Sequence, residues 1–560
     1  MNTPWRHYLV AALVATAVIF MVAPRLSTNL DFSLLDVGEY HLRAVGLATG
    51  HGYQKIESPH PDMVTGSPFI AHPLVPLILS IPMSFLGTDP SVAMVTHYAL
   101  QFVPIIGAVI LLTRIFTLLE SVLLIGVLIL QPLMLKLFPS IGTDVPFFFA
   151  SLMMFLLFAY YSDTASRRTS LLLGLGFGLL VWVRYPGVSW GITAILYLVI
   201  IGLVQHKRVP WEKLGMFVLG WIMPILVLVI WIASADPSFQ SYFTHHGGST
   251  GRNWFTFLFY SLPRKILRRV GGYAPFFWDI LIPRTLRFGS LFSTILVIFN
   301  SALFLVFFSI GVWTERKNSL IWKSLFFAGL VSMPYFVTVL TPTFQRSRYL
   351  LPVAILLLIP AVYGARYVWE WAIDRFDIFP TPSSTVLSVL FLGLFLASNV
   401  TAGISKTMQC YERGSDALVD PEFVELRLTF QRLRGRYGDD ALLVSQYSYF
   451  QGASYTGLKI ISKYDLMEDR LPLIFADNRY RRLILIHFQS RLIIPQLEEM
   501  ITGLKPELRH VMTVGSTIVY EVDIQAVKAW YANKKSAPTD PTEAMPDSLE
   551  GASEPLAVAG

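Results

Sequence analysis

Residues 72–87 read HPLVPLILSIPMSFLG, and whether this stretch crosses a membrane decides the topology of everything that follows it. A crossing helix needs about 20 apolar residues. This one is shorter and is interrupted by Pro73, Pro76 and Pro82, each lacking a backbone donor, so it fits an interfacial or re-entrant segment. Charge arbitrates. With the stretch kept on the outer face and Arg6 inside, the cytoplasmic turns hold Arg114, Arg167–Arg168, Lys207–Arg208, Arg316–Lys317 and Arg366. All are basic, as the positive-inside rule requires. Were the stretch to cross, the same clusters would fall outside.

Outward from there, the apolar runs place spans at Tyr8–Pro24, Val92–Thr113, Leu119–Phe138, Val145–Tyr161, Ser170–Val183 and Pro186–Val204. Further spans fall at Leu214–Ala235, Leu291–Trp313, Leu320–Leu340, Tyr349–Tyr367 and Val386–Val400. The expected fold class is an α-helical polytopic membrane protein with about 11 transmembrane helices and interfacial helices in the first outer loop. The first span has a basic start and no small-residue cleavage site, so it reads as uncleaved. Composition agrees: of 560 residues, 54% are hydrophobic and 14% charged, against about 25% charged in soluble domains. The net charge of +7 follows from basic cytoplasmic turns, and no nucleic-acid motif accompanies it. Cys410 is the single cysteine, which excludes a disulfide framework and a cysteine metal site.

After Val400 the composition turns soluble. DPEFVELRLTFQRLRGRYG reads as a helix, ALLVSQ and RRLILIHF as strands, RLIIPQLEEMITGL as a helix, and LRHVMTVGSTIVYEVDI as a hairpin. The expected organisation is a transmembrane domain over 1–400, a small extracytoplasmic α/β domain over 401–533, and a disordered tail over 534–560 that lacks periodic apolar residues. There is no internal repeat.

The polar residues of interest gather on the outer face of this threading. In LLDVGEYHLRAVGLATGHGYQ, Leu34 to Gln54, Asp36 and Glu39 have the spacing of an N-cap acid and its reciprocal partner, and Gly50 is placed to end the helix. Asp144 heads a span and can cap it. Arg184 ends another, and Arg346 and Arg348 share a short loop. Ionisable residues at the edge of an apolar core mark function, although arginines there also serve as snorkelling anchors. His245–His246 read as a solvent-exposed turn. The outer loop 236–289 is basic against the rule. In LPRKILRRV, Arg264, Lys265, Arg268 and Arg269 cluster away from Ile266, Leu267 and Val270. That pattern suits an interfacial helix meeting lipid phosphates, or a docking surface for an anionic lipid substrate. No metal-ligand spacing is present in the membrane region, so a divalent metal has no support in the sequence and no cofactor is assigned.

Taken in order, a first span, an outer loop with an acid and GHGY, then HP, GTDVPFFFASLMMF, LLVWVRYPG and RYLLPVAILLL resemble the GT-C glycosyltransferases. These include the protein O-mannosyltransferases, the aminoarabinose transferases acting on lipid A, and a bacterial group related to the rhizobial lipopolysaccharide glycosyltransferases. The resemblance covers roughly residues 5 to 400. It implies an enzyme that moves a sugar, with inversion, from a polyprenyl-phosphate donor to an envelope glycolipid, polysaccharide or protein on the outer face of the inner membrane. Asp36 matches the position of the family's acid, but Val37 follows it and the second acid comes only at Glu39, so the catalytic pair is Asp36 and Glu39. The resemblance further implies that Arg184, Arg346 and Arg348 bind the donor phosphate, and that Asp144 and His72 orient the acceptor or the Asp36 loop. The alternatives are a transporter or flippase, against which the lack of repeats and of matching broken helices counts, and a polysaccharide ligase or polymerase.

Overall fold

The computed structural model describes residues 35–53, 72–129, 134, 137–138, 140–207, 209–235, 291–338, 351–376, 385–396, 421–446, 449–467, 469–489 and 494–536. Only the backbone is described at 35–36, 205–206, 232–235, 291–298, 333–338, 351–352, 449–450 and 463–464. The expected first span, the loop bearing Arg264, Lys265, Arg268 and Arg269, the pair Arg346 and Arg348, and the tail beyond Ser536 lie outside the described residues.

Among the described residues, two helices precede the bundle, α1 (Leu35–Ala48) and α2 (Leu74–Leu86). At 13 residues α2 is about 20 Å long, too short for a hydrocarbon core of about 30 Å. It is one helix that continues through Pro76 and Pro82, which corrects the reading of these prolines as interruptions. There follow α3 (Pro90–Leu112), α4 (Leu118–Ile129), α5 (Asp144–Tyr161), α6 (Arg167–Val183), α7 (Gly187–His206) and α8 (Trp211–Ala235). Then come α9 (Leu291–Thr314), α10 (Ser319–Thr338), α11 (Leu351–Phe376) and α12 (Val386–Leu396). Among the described residues, five helices are long and apolar enough to cross a membrane: α3, α5, α7, α8 and α11. The chain is a multi-pass membrane protein.

One apolar core runs through α3 to α12. Its tightest seam joins α9 and α11. A Cβ on Gly311 would run into the Pro360 carbonyl, and one on Gly364 into the Phe307 carbonyl, so small residues let the two backbones touch. At one end of the bundle, Glu120 of α4 is buried and accepts from Arg366 of α11, from Ser388 of α12 and, at 2.7 Å, from the Thr117 hydroxyl. This corrects the reading of Arg366 as a turn residue. α11 continues past it to Phe376, because the guanidinium has a buried carboxylate to meet inside the protein. At the same end Lys323 reaches Asp163 at 2.8 Å.

Residues 421–536 build a five-stranded mixed sheet flanked by helices α13 (Pro421–Leu433), α14 (Tyr449–Thr456), α15 (Lys463–Met467), α16 (Pro472–Phe475), α17 (Pro495–Gly503) and α18 (Ile524–Ser536). The strands are β1 (Ala441–Ser445), β2 (Lys459–Ser462), β3 (Arg482–Phe488), β4 (Arg509–Val514) and β5 (Thr517–Asp523), in the order β2-β1-β3-β5-β4. The β1–β2 and β1–β3 pairs are parallel, and the β3–β5 and β4–β5 pairs antiparallel. Alternation along β1 and β3 sorts the core. Leu443, Ile484 and Ile486 face the α13–α14 side, whereas Leu442, Leu483 and Leu485 face α17 and α18. Helix α14 packs directly on α1, so the sheet lies at the end of the bundle that carries the first loop.

Candidate active site

Helix α1 is already formed at Leu35, so Asp36 lies inside it and is not its N-cap. The C-terminus follows the sequence reading. Gly50 adopts φ 80°, its N–H donates to the Leu47 carbonyl, and the His51 N–H reaches back to Gly46 at 2.8 Å. This paired arrangement needs a left-handed residue at Gly50, and it turns the chain so that Tyr53 folds under the helix.

Within α1, Glu39 and Arg43 are both buried and form an i, i+4 pair at 3.7 Å. Arg43 also donates to the Tyr53 carbonyl at 3.4 Å and stands over the Tyr53 ring, 5.2 Å from its centre. Glu39 therefore does more than local capping: it is the counter-charge of a buried guanidinium. Burial pushes the Tyr53 phenol well above its ordinary range, so it stays protonated. Its ring meets Trp231 of α8 at 4.8 Å, and Trp231 stacks on Trp182 of α6. These contacts tie the first loop to the bundle.

One helical position beyond Glu39, the Tyr40 hydroxyl lies 3.3 Å from the Thr143 hydroxyl. Thr143 in turn accepts from Arg184 at 3.3 Å, and Arg184 forms an ion pair with Asp144. Asp144 is thus the first residue of α5 with Thr143 before it, and its carboxylate serves Arg184, which ends α6. That answers the capping reading of Asp144: a partner forty residues away holds the carboxylate. Arg184 is only 6% exposed, so it is not a snorkelling anchor. His72 packs edge-on against Tyr185 at 4.3 Å. Burial, reinforced by the nearby Arg184 charge, holds His72 well below the usual histidine range and therefore neutral.

The loop before α5 is fixed from α3. Gln101 donates to the Phe138 carbonyl at 3.1 Å. The His97 Nε2 accepts the Gly142 N–H at 3.3 Å, which leaves the ring proton on Nδ1. Both side chains are fully buried.

The structure thus brings Glu39, His72, Asp144 and Arg184 to one end of the bundle, with Asp36 one helical turn before Tyr40. Tyr40, Arg43, Tyr53, Thr143, His97 and Gln101 join them and were not assigned roles from sequence. Tyr53 and Thr143 lay within the quoted motifs GHGY and GTDVPFFFASLMMF, and Arg43 had a readable signal in its i+4 spacing from Glu39. Chemically, the arrangement offers a buried cation with one carboxylate already on it, an acid-bearing helix beside it, and aromatic walls. Among the described residues, no group of three or more His, Cys, Asp or Glu is placed to hold a metal ion.

His41 makes this region sensitive to acid. It is buried, and its Nε2 donates to the Thr88 carbonyl at 3.2 Å. Burial lowers its pKa to about 4, against the opposing pull of that bond and of Asp89. The unfolded chain takes up the proton below about pH 6.5, and the folded chain only near pH 4. Stability is therefore full above pH 6.5 and falls as pH drops toward 4, by at most about 3 kcal/mol from this group. Thermal unfolding between pH 7.5 and 5 is expected to show this decline, and His41→Asn should flatten it. An unchanged slope would contradict the assignment, although His72 adds to the same trend.

Two solved structures share this fold. ArnT from Cupriavidus metallidurans in the apo state superposes with a TM-score of 0.55 at 13% sequence identity, over 92% of this chain and 97% of that one. The same protein bound to undecaprenyl phosphate gives 0.54 at 12% identity, over 93% and 98%. No protein-family model matches the chain, and no curated protein sequence matches it. At such identity the likeness is one of fold alone.

Proposed function

We propose that this chain is an inverting glycosyltransferase that moves a sugar from a polyprenyl-phosphate donor to an envelope acceptor on the outer face of the membrane. The observation that carries the reading is the convergence of the acid-bearing α1 with the buried Arg184–Asp144 pair, linked through Tyr40 and Thr143. A fold shared with a protein solved with undecaprenyl phosphate bound supports the choice of donor.

In this reading Asp36 is the base. It takes the proton of the acceptor hydroxyl as that oxygen bonds to the anomeric carbon. The bond from that carbon to the donor phosphate breaks, and the electron pair leaves with the polyprenyl phosphate. One displacement inverts the centre and needs one base, because the leaving group departs already ionised. Arg184, together with Arg346 and Arg348, meets the phosphate through planar guanidinium groups. Glu39 holds Arg43 and with it the geometry of α1. Asp144 and His72 orient Arg184 and the acceptor side, and Arg264, Lys265, Arg268 and Arg269 dock the lipid at the surface. Residues 1–400 form the transferase domain and 401–533 the outer domain, whose last helix α18 runs on to Ser536 before the tail.

The test is to incubate the purified chain with undecaprenyl-phosphate hexose or pentose donors and envelope lipid extract. Product NMR should show the sugar attached with inverted anomeric configuration. Donor binding without transfer to any lipid, glycan or protein acceptor would overturn the proposal.

A further inference from the structure

We infer that the C-terminal sheet positions the acid-bearing helix α1, with Ala453 and Arg434 as positioning residues. The inference rests on the proposed function for its catalytic consequence, though not for its structural part. A 14-residue helix is marginal in water by itself, so what packs on α1 determines where it stands. Its Val37, Leu42 and Ala44 share one apolar cluster with Phe430, Ala453 and Tyr455 of the C-terminal unit, and α14 lies directly against α1. Helix α14 has little room to retreat. A Cβ on Gly452 would meet both Leu443 of the sheet and Phe430 of α13 at 2.9 Å, so a displacement on its α1 side cannot be absorbed on the other.

A second contact meets α1 at the start of α3. His41 of α1 donates to the Thr88 carbonyl at 3.2 Å. The next residue, Asp89, accepts the Ser91 N–H at 3.0 Å and the Arg434 guanidinium at 2.9 Å. Arg434 follows α13 directly, so the sheet unit grips the same corner that α1 leans on. A base must stand within hydrogen-bond reach of its proton, and a misplacement of about 1 Å costs on the order of 10²-fold in rate. The C-terminal unit thereby bears on the chemical step without touching substrate.

The test uses the full chain in detergent with Ala453→Leu, and reads hydrogen exchange over residues 35–48 together with kcat and donor KM. Expected are faster exchange confined to 35–48 and the Thr88–Asp89 corner, kcat lowered about tenfold or more, and donor KM within about twofold of the parent, since Asp144 of α5 holds Arg184. Arg434→Glu, at an exposed pair that folding does not require, should give the same pattern more weakly, and it carries the test if Ala453→Leu fails to fold. Unchanged exchange over 35–48 in Arg434→Glu and in folded Ala453→Leu would overturn the inference, as would a parallel loss of protection across every helix of the bundle. If the parent protein transfers no sugar, the proposed function fails, while the exchange measurement still decides whether the sheet braces α1.

Discussion

Arg184→Ala is expected to abolish measurable donor binding and to destabilise the protein, and a charge swap separates these two effects. Removing the guanidinium leaves Asp144 without its cation in a site where its side chain is 15% exposed. Breaking one side of a buried pair costs about 3–5 kcal/mol, discounted here for partial exposure. The swapped double variant, Arg184→Asp with Asp144→Arg, restores the pair in reverse and should recover much of the thermal stability. It should not recover the donor, because the phosphate then meets a carboxylate at position 184. Arg184→Lys keeps the charge but loses the two-point contact, so donor affinity should drop about tenfold or more with folding intact. Stability measured by thermal unfolding and donor affinity measured by binding of undecaprenyl phosphate must therefore come apart. If the swap restores donor affinity along with stability, Arg184 is a structural residue only.

Much of this fold was legible in the amino-acid order, for reasons that also explain what was not. Helices such as α3, α5, α7 and α8 announce themselves by length and apolar composition, which the bilayer demands of any span. The glycine after α1 is a backbone constraint, and it held locally, whereas the prolines of α2 did not interrupt it. β1 and β3 were readable because buried strands are apolar runs bounded by turns. β2, at four residues, is too short to stand out, and α18 carries Lys534 and Lys535 in its last turn, so its end resembled the start of the tail. In the site, Asp144 and Arg184 stood out as ionisable residues at the rim of an apolar core, but their pairing did not. A contact between residues so far apart in the chain depends on how α5 and α6 are packed. His97 and Gln101 were invisible for a related reason. A polar side chain inside an apolar helix gives no hint of which distant carbonyl or amide it will serve.

Asp36→Asn is expected to slow sugar transfer by about 10²-fold or more. Asn and Asp have similar propensities within a helix, and α1 already includes position 36, so the substitution removes a proton acceptor with little change in folding. Glu39→Gln should behave differently. It leaves the buried Arg43 guanidinium without its carboxylate, so the loss should fall on the stability of the first loop, and transfer should decline with the folded fraction. The decisive measurement is single-turnover transfer from a purified undecaprenyl-phosphate sugar by the parent protein and Asp36→Asn, with donor binding followed in parallel. The account predicts unchanged donor binding and a rate lower by about two orders of magnitude or more in the variant. Transfer by Asp36→Asn at the parent rate would contradict it.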